Sequence, residues 1–233
     1  IKDDGLGNAS SPTIRDCVIE ANVGVGGGGG MHFRGGSQTL VENCLIQDNT
    51  TTHYHGAGVV IFDSQPVFQG CTIRNNASGG GGGGIGVWDA TSDLYLNGCI
   101  MDGNTPTNID RYGQATILVE YSLARGDVLK WWFGTGCIDS DPYFVNGPQG
   151  GAYLAQLAAG QAGDSPCVDA GNPVAAVAGT TRSDGFADRG VVDMGYHYPV
   201  QVPVLTVSNL VAGAVATIEM SNNNPGDACV VGY

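Results

Sequence analysis

The sequence predicts an all-β solenoid, a parallel β-helix, on three observations. One nine-residue motif recurs four times, from Ile14 to Asn22, Val41 to Asn49, Phe68 to Asn76 and Leu96 to Asn104, and its cysteines Cys17, Cys44, Cys71 and Cys99 stand 27, 27 and 28 residues apart. A near-constant period of that size marks a stacked-repeat architecture. Within each repeat, short segments alternate apolar and polar residues, which is the period of a strand and not of a helix. Neither a helical stretch nor a leucine framework lies between them, so leucine-rich, ankyrin and tetratricopeptide repeats are excluded. A unit of two or three short strands cannot bury its inner face alone, whereas coils stacked about 4.8 Å apart can.

Alignment on the cysteines gives each column a direction. Three residues before, the column reads Ile14, Val41, Phe68, Leu96, and two after it reads Ile19, Ile46, Ile73, Met101. Both point inward. The columns Arg15, Glu42, Gln69, Asn97 and Glu20, Gln47, Arg74, Asp102 are expected to face solvent. Five after the cysteine stands an asparagine each time, Asn22, Asn49, Asn76 and Asn104, a side chain that tolerates a left-handed corner and passes amide hydrogen bonds from coil to coil. The four cysteines share one inward column as small hydrophobes, and adjacent in-register strands give poor disulfide geometry, so a stack of free thiols is expected.

The second segment of each repeat is entered through glycine: Gly30-Met31-His32-Phe33, Gly58-Val59-Val60-Ile61 and Gly84-Ile85-Gly86-Val87. The glycine runs 26–30 and 79–84 have neither the following helix nor the lysine of a phosphate loop, and read as tight turns or protrusions. Between them, His53 and His55 form a two-histidine loop without an evident third metal ligand. A divergent fifth coil is seen at Ile117–Leu123, with Ser122 in the cysteine place and Asp127 in the asparagine place. Lys130-Trp131-Trp132-Phe133 then ends the coils as core, as a cap over the open apolar end, or as a sugar-stacking platform, with capping and packing the expected role.

The expected organisation is about five coils over residues 1–130, a closing or capping segment over 131–200, and a β tail over 201–233 that resembles the start of a β-sandwich. The chain opens at Ile1 in what reads as the middle of a coil, as expected of a processed or partial chain.

Composition narrows the function. Aspartate supplies 18 of 22 acidic residues against nine basic ones, for a net charge of −13. Such a surface repels nucleic acid and anionic membranes and attracts cations. No apolar stretch is long enough for a membrane span. Glycine, at 39 residues, lies in turns between strands and not in a collagen series.

From residue 137 onward come Ile138-Asp139-Ser140-Asp141-Pro142, Ser165-Pro166-Cys167-Val168-Asp169-Ala170-Gly171 and Asp193-Met194-Gly195-Tyr196. With these motifs the chain resembles the right-handed parallel β-helix superfamily of pectate-lyase-like proteins, and in particular the C-terminal end of large secreted bacterial, planctomycete-type surface β-helix proteins. The resemblance covers residues 1 to 200 and implies a right-handed coil, secretion and display at the cell surface. Members of the superfamily include lyases, hydrolases, epimerases, adhesins and inert stalks, so it does not fix an activity.

Its lyases use acidic residues on calcium with an arginine or lysine base, and its hydrolases use aspartates on neighbouring coils. Neither outward column here places two acids in adjacent coils, so no catalytic residue is assigned. Asp184, Asp188 and Asp193, in a loop bent by Gly185 and Gly190, are the candidate calcium ligands, with Asx-turns and strand caps as the competing reading. Cys137 and Cys167 lie outside the cysteine column, where a disulfide in an oxidising setting and two free thiols are both open. Cys229 is the odd one.

The expected function is an extracellular structural or adhesive surface protein that associates with itself head to tail or with surface polysaccharide. The alternatives are a polysaccharide lyase or hydrolase, and a carbohydrate-binding module using Trp88, Trp131 and Trp132. Acids in adjacent outward columns would favour the enzyme, and a row of exposed aromatics along one groove would favour the binder.

Overall fold

The computed structural model describes residues 1, 9–53, 55–126, 130–176 and 178–200, and the backbone of two later strands, Val204–Ser208 and Thr217–Ser221. It is a parallel β-solenoid whose coils lay strands into four ladders. The first ladder holds Thr13–Arg15, Leu40–Glu42, Val67–Gln69, Asp93–Asn97 and Thr116–Glu120, and the second holds Val18–Glu20, Leu45–Gln47, Thr72–Arg74, Ile100–Asp102 and Leu123–Ala124. A short third ladder holds Val23–Gly24, Thr50–Thr51 and Ala77–Ser78. The fourth holds Met31–Phe33, Val59–Phe62, Ile85–Trp88 and Ile109–Arg111. About four turns are complete. The fifth coil contributes strands only to the first two ladders, and single bridges from Val119 to Phe133 and from Leu123 to Ile138 carry the winding further.

The register follows the cysteine alignment, with Ile14 beside Val41, and Ile19, Ile46, Ile73 and Met101 in line. These side chains, the cysteines and the inward residues of the fourth ladder make one continuous core. One residue in the left-handed region turns each coil from the first ladder into the second: Asp16, Asn43, Gly70, Gly98 and Tyr121. Asparagine, aspartate and glycine accept that conformation at little cost.

The asparagine column is continuous. Each Nδ2 donates to the Oδ1 of the next at 2.9 Å, from Asn22 to Asn49, Asn76 and Asn104 in turn, and Asn104 passes the chain to Asn108. Each Oδ1 also accepts the preceding asparagine's backbone N–H. Opposite this column the glycines are obligatory, since a Cβ on Gly30, Gly58 or Gly84 would lie 2.5–2.7 Å from a carbonyl oxygen of the next coil. The glycine runs are therefore tight, in-register turns and not protrusions.

Most of the closing segment covers a flank of the coils and not their end. It begins with an antiparallel hairpin, Phe144–Gly147 with Gly150–Leu154, and lies along the outer face of the second ladder. Leu45 is covered by Ala152, Tyr153, Tyr196 and Tyr198, and Ile100 and Leu123 by Leu154, Cys167 and Met194. Burying each of these outward leucines and isoleucines contributes about 1.5–3 kcal/mol. Column positions expected to face solvent are correspondingly covered: Asn97 is buried, and Arg74 donates to the Gly151 carbonyl at 2.6 Å. The end of the coils is packed instead by Trp132, Phe133 and Cys137.

All six cysteines among the described residues are free thiols. Cys137 belongs to the solenoid core and Cys167 to the interface with the closing segment, so the bridge between them is not formed. Burial pushes the Cys167 thiol up to about 12. Cys229 and Asp127 lie outside the described residues. Val204–Ser208 and Thr217–Ser221 pair as an antiparallel hairpin.

Candidate functional site

On the fourth ladder, aromatic side chains line up on adjacent coils. Alternation in its strands sends Met31, Phe33, Val59, Ile61, Ile85 and Val87 into the core and the residues between them outward. Phe62 and Trp88 are direct strand partners, and the Tyr112 N–H donates to the Val87 carbonyl at 2.8 Å, so the outward column reads Phe62, Trp88, Tyr112. Trp88 and Tyr112 stack at 4.6 Å with their planes 20° apart. The guanidinium of Arg34 lies 5.2 Å from the centre of the Phe62 ring at one end, and at the other the Arg111 guanidinium lies 4.9 Å from that of Trp131, which is 62% exposed. Arginine on an aromatic face contributes on the order of 0.5–1 kcal/mol at exposed sites.

A groove of about 220 Å³ opens on this face between His32, Arg34, His55, Val60, Phe62 and Trp88. Arg34 and Arg111 form no ion pair among the described residues, whereas Arg15, Arg125 and Arg182 are each held by a carboxylate. The pKa of His32 is lowered, first by desolvation and then by the charge of Arg34. His32 is therefore neutral at neutral pH.

His55, expected as half of a two-histidine loop, belongs to this face. Its ring makes an edge contact with Trp88 at 5.1 Å and lies 4.2 Å from the ring of Tyr112. The Gly81 N–H donates to His55 Nδ1, which makes Nδ1 an acceptor and puts the ring proton on Nε2. The Tyr112 hydroxyl donates to Asp110 Oδ2 at 2.7 Å and lies 2.5 Å from His55 Nδ1. Burial, followed by the Asp110 hydrogen bond and charge, raises the Tyr112 pKa to about 12. The glycine run makes this packing possible: a Cβ at Gly80 would lie 3.0 Å from the imidazole, and one at Gly81 would collide with the Asp110 carboxylate. His53 stands apart, exposed and bonded to Thr52 Oγ1.

The candidate calcium ligands are dispersed. Asp184 is engaged by the Arg182 guanidinium, which holds its carboxyl below the ordinary range despite partial burial. Asp188 Oδ2 accepts from the Asp193 N–H and faces His197 Nε2, both at 3.2 Å. Asp193 is 1% exposed, and its oxygens accept from the Asp169 N–H at 2.7 Å, Gln156 Nε2 at 3.1 Å and the Thr181 hydroxyl. Burial raises its pKa to about 6. These oxygens are occupied by protein donors, and no group of three or more His, Cys, Asp or Glu side chains among the described residues is arranged to hold a metal. These carboxylates cross-link the closing segment.

Of the tryptophans singled out in the sequence, Trp88 and Trp131 lie on or beside this face and Trp132 is in the core. Phe62, Tyr112 and His55 were not grouped with them. Phe62, like Trp88, stands one residue past the inward pair of its strand, and Tyr112 one residue past Arg111, positions the cysteine alignment does not reach, while His55 comes from the loop before Val59.

A family model described as a right handed beta helix region matches residues 4–123, which takes in the four ladders up to Leu123 and the outward row Phe62, Trp88 and Tyr112. No curated protein and no solved structure matches the chain.

Proposed function

The chain belongs to the right-handed β-helix family, and we propose that it uses this scaffold as a non-catalytic polysaccharide-binding protein that acts adhesively at the cell surface. The observation that carries the reading is the outward row Phe62, Trp88, Tyr112 on successive coils beside an open groove. Aromatic rings offer apolar area for the C–H faces of sugar rings at low entropic cost, and the flanking Arg34 and His55 supply donors for hydroxyl or carboxylate oxygens. A row that repeats with the coil spacing suits a ligand that itself repeats. An extracellular location goes with this reading, since that is where such polymers are met. Head-to-tail self-association has no comparable support.

The test is affinity electrophoresis of the full chain through gels containing neutral or acidic polysaccharides. Retardation by at least one polymer, lost in Trp88→Ala, supports the reading. Equal mobility in every gel overturns it.

Cleavage is the second reading, favoured by the hydrogen-bonded His55, Tyr112 and Asp110 beside the groove. The raised pKa of Tyr112 works against a phenolate base at neutral pH. New reducing ends or unsaturated products from a retained polymer would establish it.

A further inference from the structure

A second hollow lies on a different flank, where the closing segment passes over the first ladder. The corner column accounts for it. That column carries Asp16 and Asn43 in the first two coils, Gly70 and Gly98 in the next two, and Tyr121 in the fifth. A Cβ at Gly98 would meet nothing closer than the Gly70 nitrogen at 3.8 Å. Two adjacent missing side chains leave a cleft of about 270 Å³, walled by Glu42, Gln69, Tyr95 and Asn97 on the coils and by Asn172 and Val192 on the closing segment.

The walls are fixed by their own hydrogen bonds. Asn172 Nδ2 donates to Asn97 Oδ1 at 3.1 Å, Asn97 Nδ2 donates to the Tyr95 oxygen at 2.8 Å, and the Tyr95 hydroxyl donates to Glu120 at 2.9 Å. Two groups remain for a ligand. The carboxamide of Gln69 has no hydrogen-bond partner among the described residues, and Glu42 uses Oε2 on Arg15, which leaves Oε1. The carboxylates Glu42 and Asp193 in the walls disfavour an anion. A donor-acceptor amide, a carboxylate oxygen and an apolar wall at Val192 in a preformed concavity suit a compact, neutral, hydroxyl-rich ring.

We infer that this cleft is a binding site for a single neutral pyranose unit, separate from the aromatic groove and independent of what the groove binds. The test is saturation-transfer NMR of the full chain with glucose, galactose and N-acetylglucosamine in turn. At least one sugar gives a saturable signal. Gly98→Asn fills the cleft at a backbone conformation that Asn43 already adopts in the same column, and Gln69→Ala removes the free amide from an exposed position. Either change weakens binding about tenfold or more, while Trp88→Ala leaves it unchanged. No saturable signal with any of the three sugars overturns the inference, and so does a signal that survives in both cleft variants. Loss in Trp88→Ala alone would assign the sugar to the groove instead.

Discussion

Asn43 and His197, 154 residues apart, hold each other by two hydrogen bonds: the His197 N–H donates to Asn43 Oδ1 at 2.7 Å, and Asn43 Nδ2 donates to the His197 carbonyl at 3.0 Å. The same Nδ2 donates to Asp16 at 2.8 Å. One corner asparagine thus ties the first two coils to the end of the closing segment. Asn43→Ala leaves a buried N–H and a buried carbonyl without partners, at a cost of about 2–4 kcal/mol. Hydrogen exchange is expected to rise first in residues 194–198, with the inner ladders protected; uniform loss of protection would contradict this local role.

The asparagine column predicts a larger effect from its middle. Asn76 Oδ1 accepts from Asn49 twice, and its Nδ2 donates to Asn104 and to the Ile46 carbonyl. Asn76→Ala is expected to lower unfolding stability in urea by about 3 kcal/mol or more, and Asn22→Ala at the partly exposed end by less.

The buried Asp193 makes stability depend on pH in a defined direction. Its folded pKa, raised from 3.8 to about 6, exceeds the unfolded value. Its contribution is therefore fully present below pH 4 and is lost as pH rises through 6, amounting to about 3 kcal/mol at most. Thermal unfolding at pH 5 and pH 7.5 is the measurement. Asp193→Asn should flatten the fall between them, and an unchanged slope would move the cause to another group.

Thiol labelling tests the cysteine arrangement. Cys44, Cys71, Cys99 and Cys167 are fully buried, so of the six cysteines among the described residues Cys17 and Cys137 should react first in native protein, and all six should react on unfolding without reductant. A Cys137–Cys167 peptide in the non-reduced digest would refute the free-thiol arrangement.

In the groove, Trp88→Ala removes the central ring of the row and its stacking partner for Tyr112. Polysaccharide affinity is expected to fall about tenfold or more. Val18→Ala, on another flank, should leave it unchanged.

The solenoid was legible because its signal repeats: a register fixed by cysteine and asparagine assigns every inward residue of the first two ladders at once. The closing segment was not, because its contacts join Leu45 to Tyr198 and Ile100 to Met194 without any period. Outward Leu45, Ile100 and Leu123 were the available clue, as apolar residues where alternation calls for polar ones. The groove was half legible. Trp88 stood out by type, but its neighbours come from turns of unequal length, and the glycine run that packs against His55 reads in sequence as a tight turn or a protrusion, with nothing to pair it with that histidine. The aspartates were ambiguous for a simple reason: a carboxylate in a bent loop serves a cation or an N–H equally well, and Thr181, Gln156, Arg182 and backbone donors engage these.

The path of the closing segment has a consequence for the order of events during synthesis. Neighbouring coils close loops of 27 or 28 residues and can stack as they leave the ribosome, whereas Asn43 waits for a partner 154 residues away. The longer loop adds only about 1.5 kcal/mol of closure entropy. Delay is the greater hazard. Until the closing segment emerges, Leu45, Ile100 and Leu123 form a bare apolar stripe on a nascent chain, open to collision with its neighbours on the same polysome, and its cover is complete only with residues 194–198. A ribosome stalled before residue 194 would display what Met194, Tyr196 and Tyr198 cover, so the molecule's aggregation-prone form is one whose coils are already stacked.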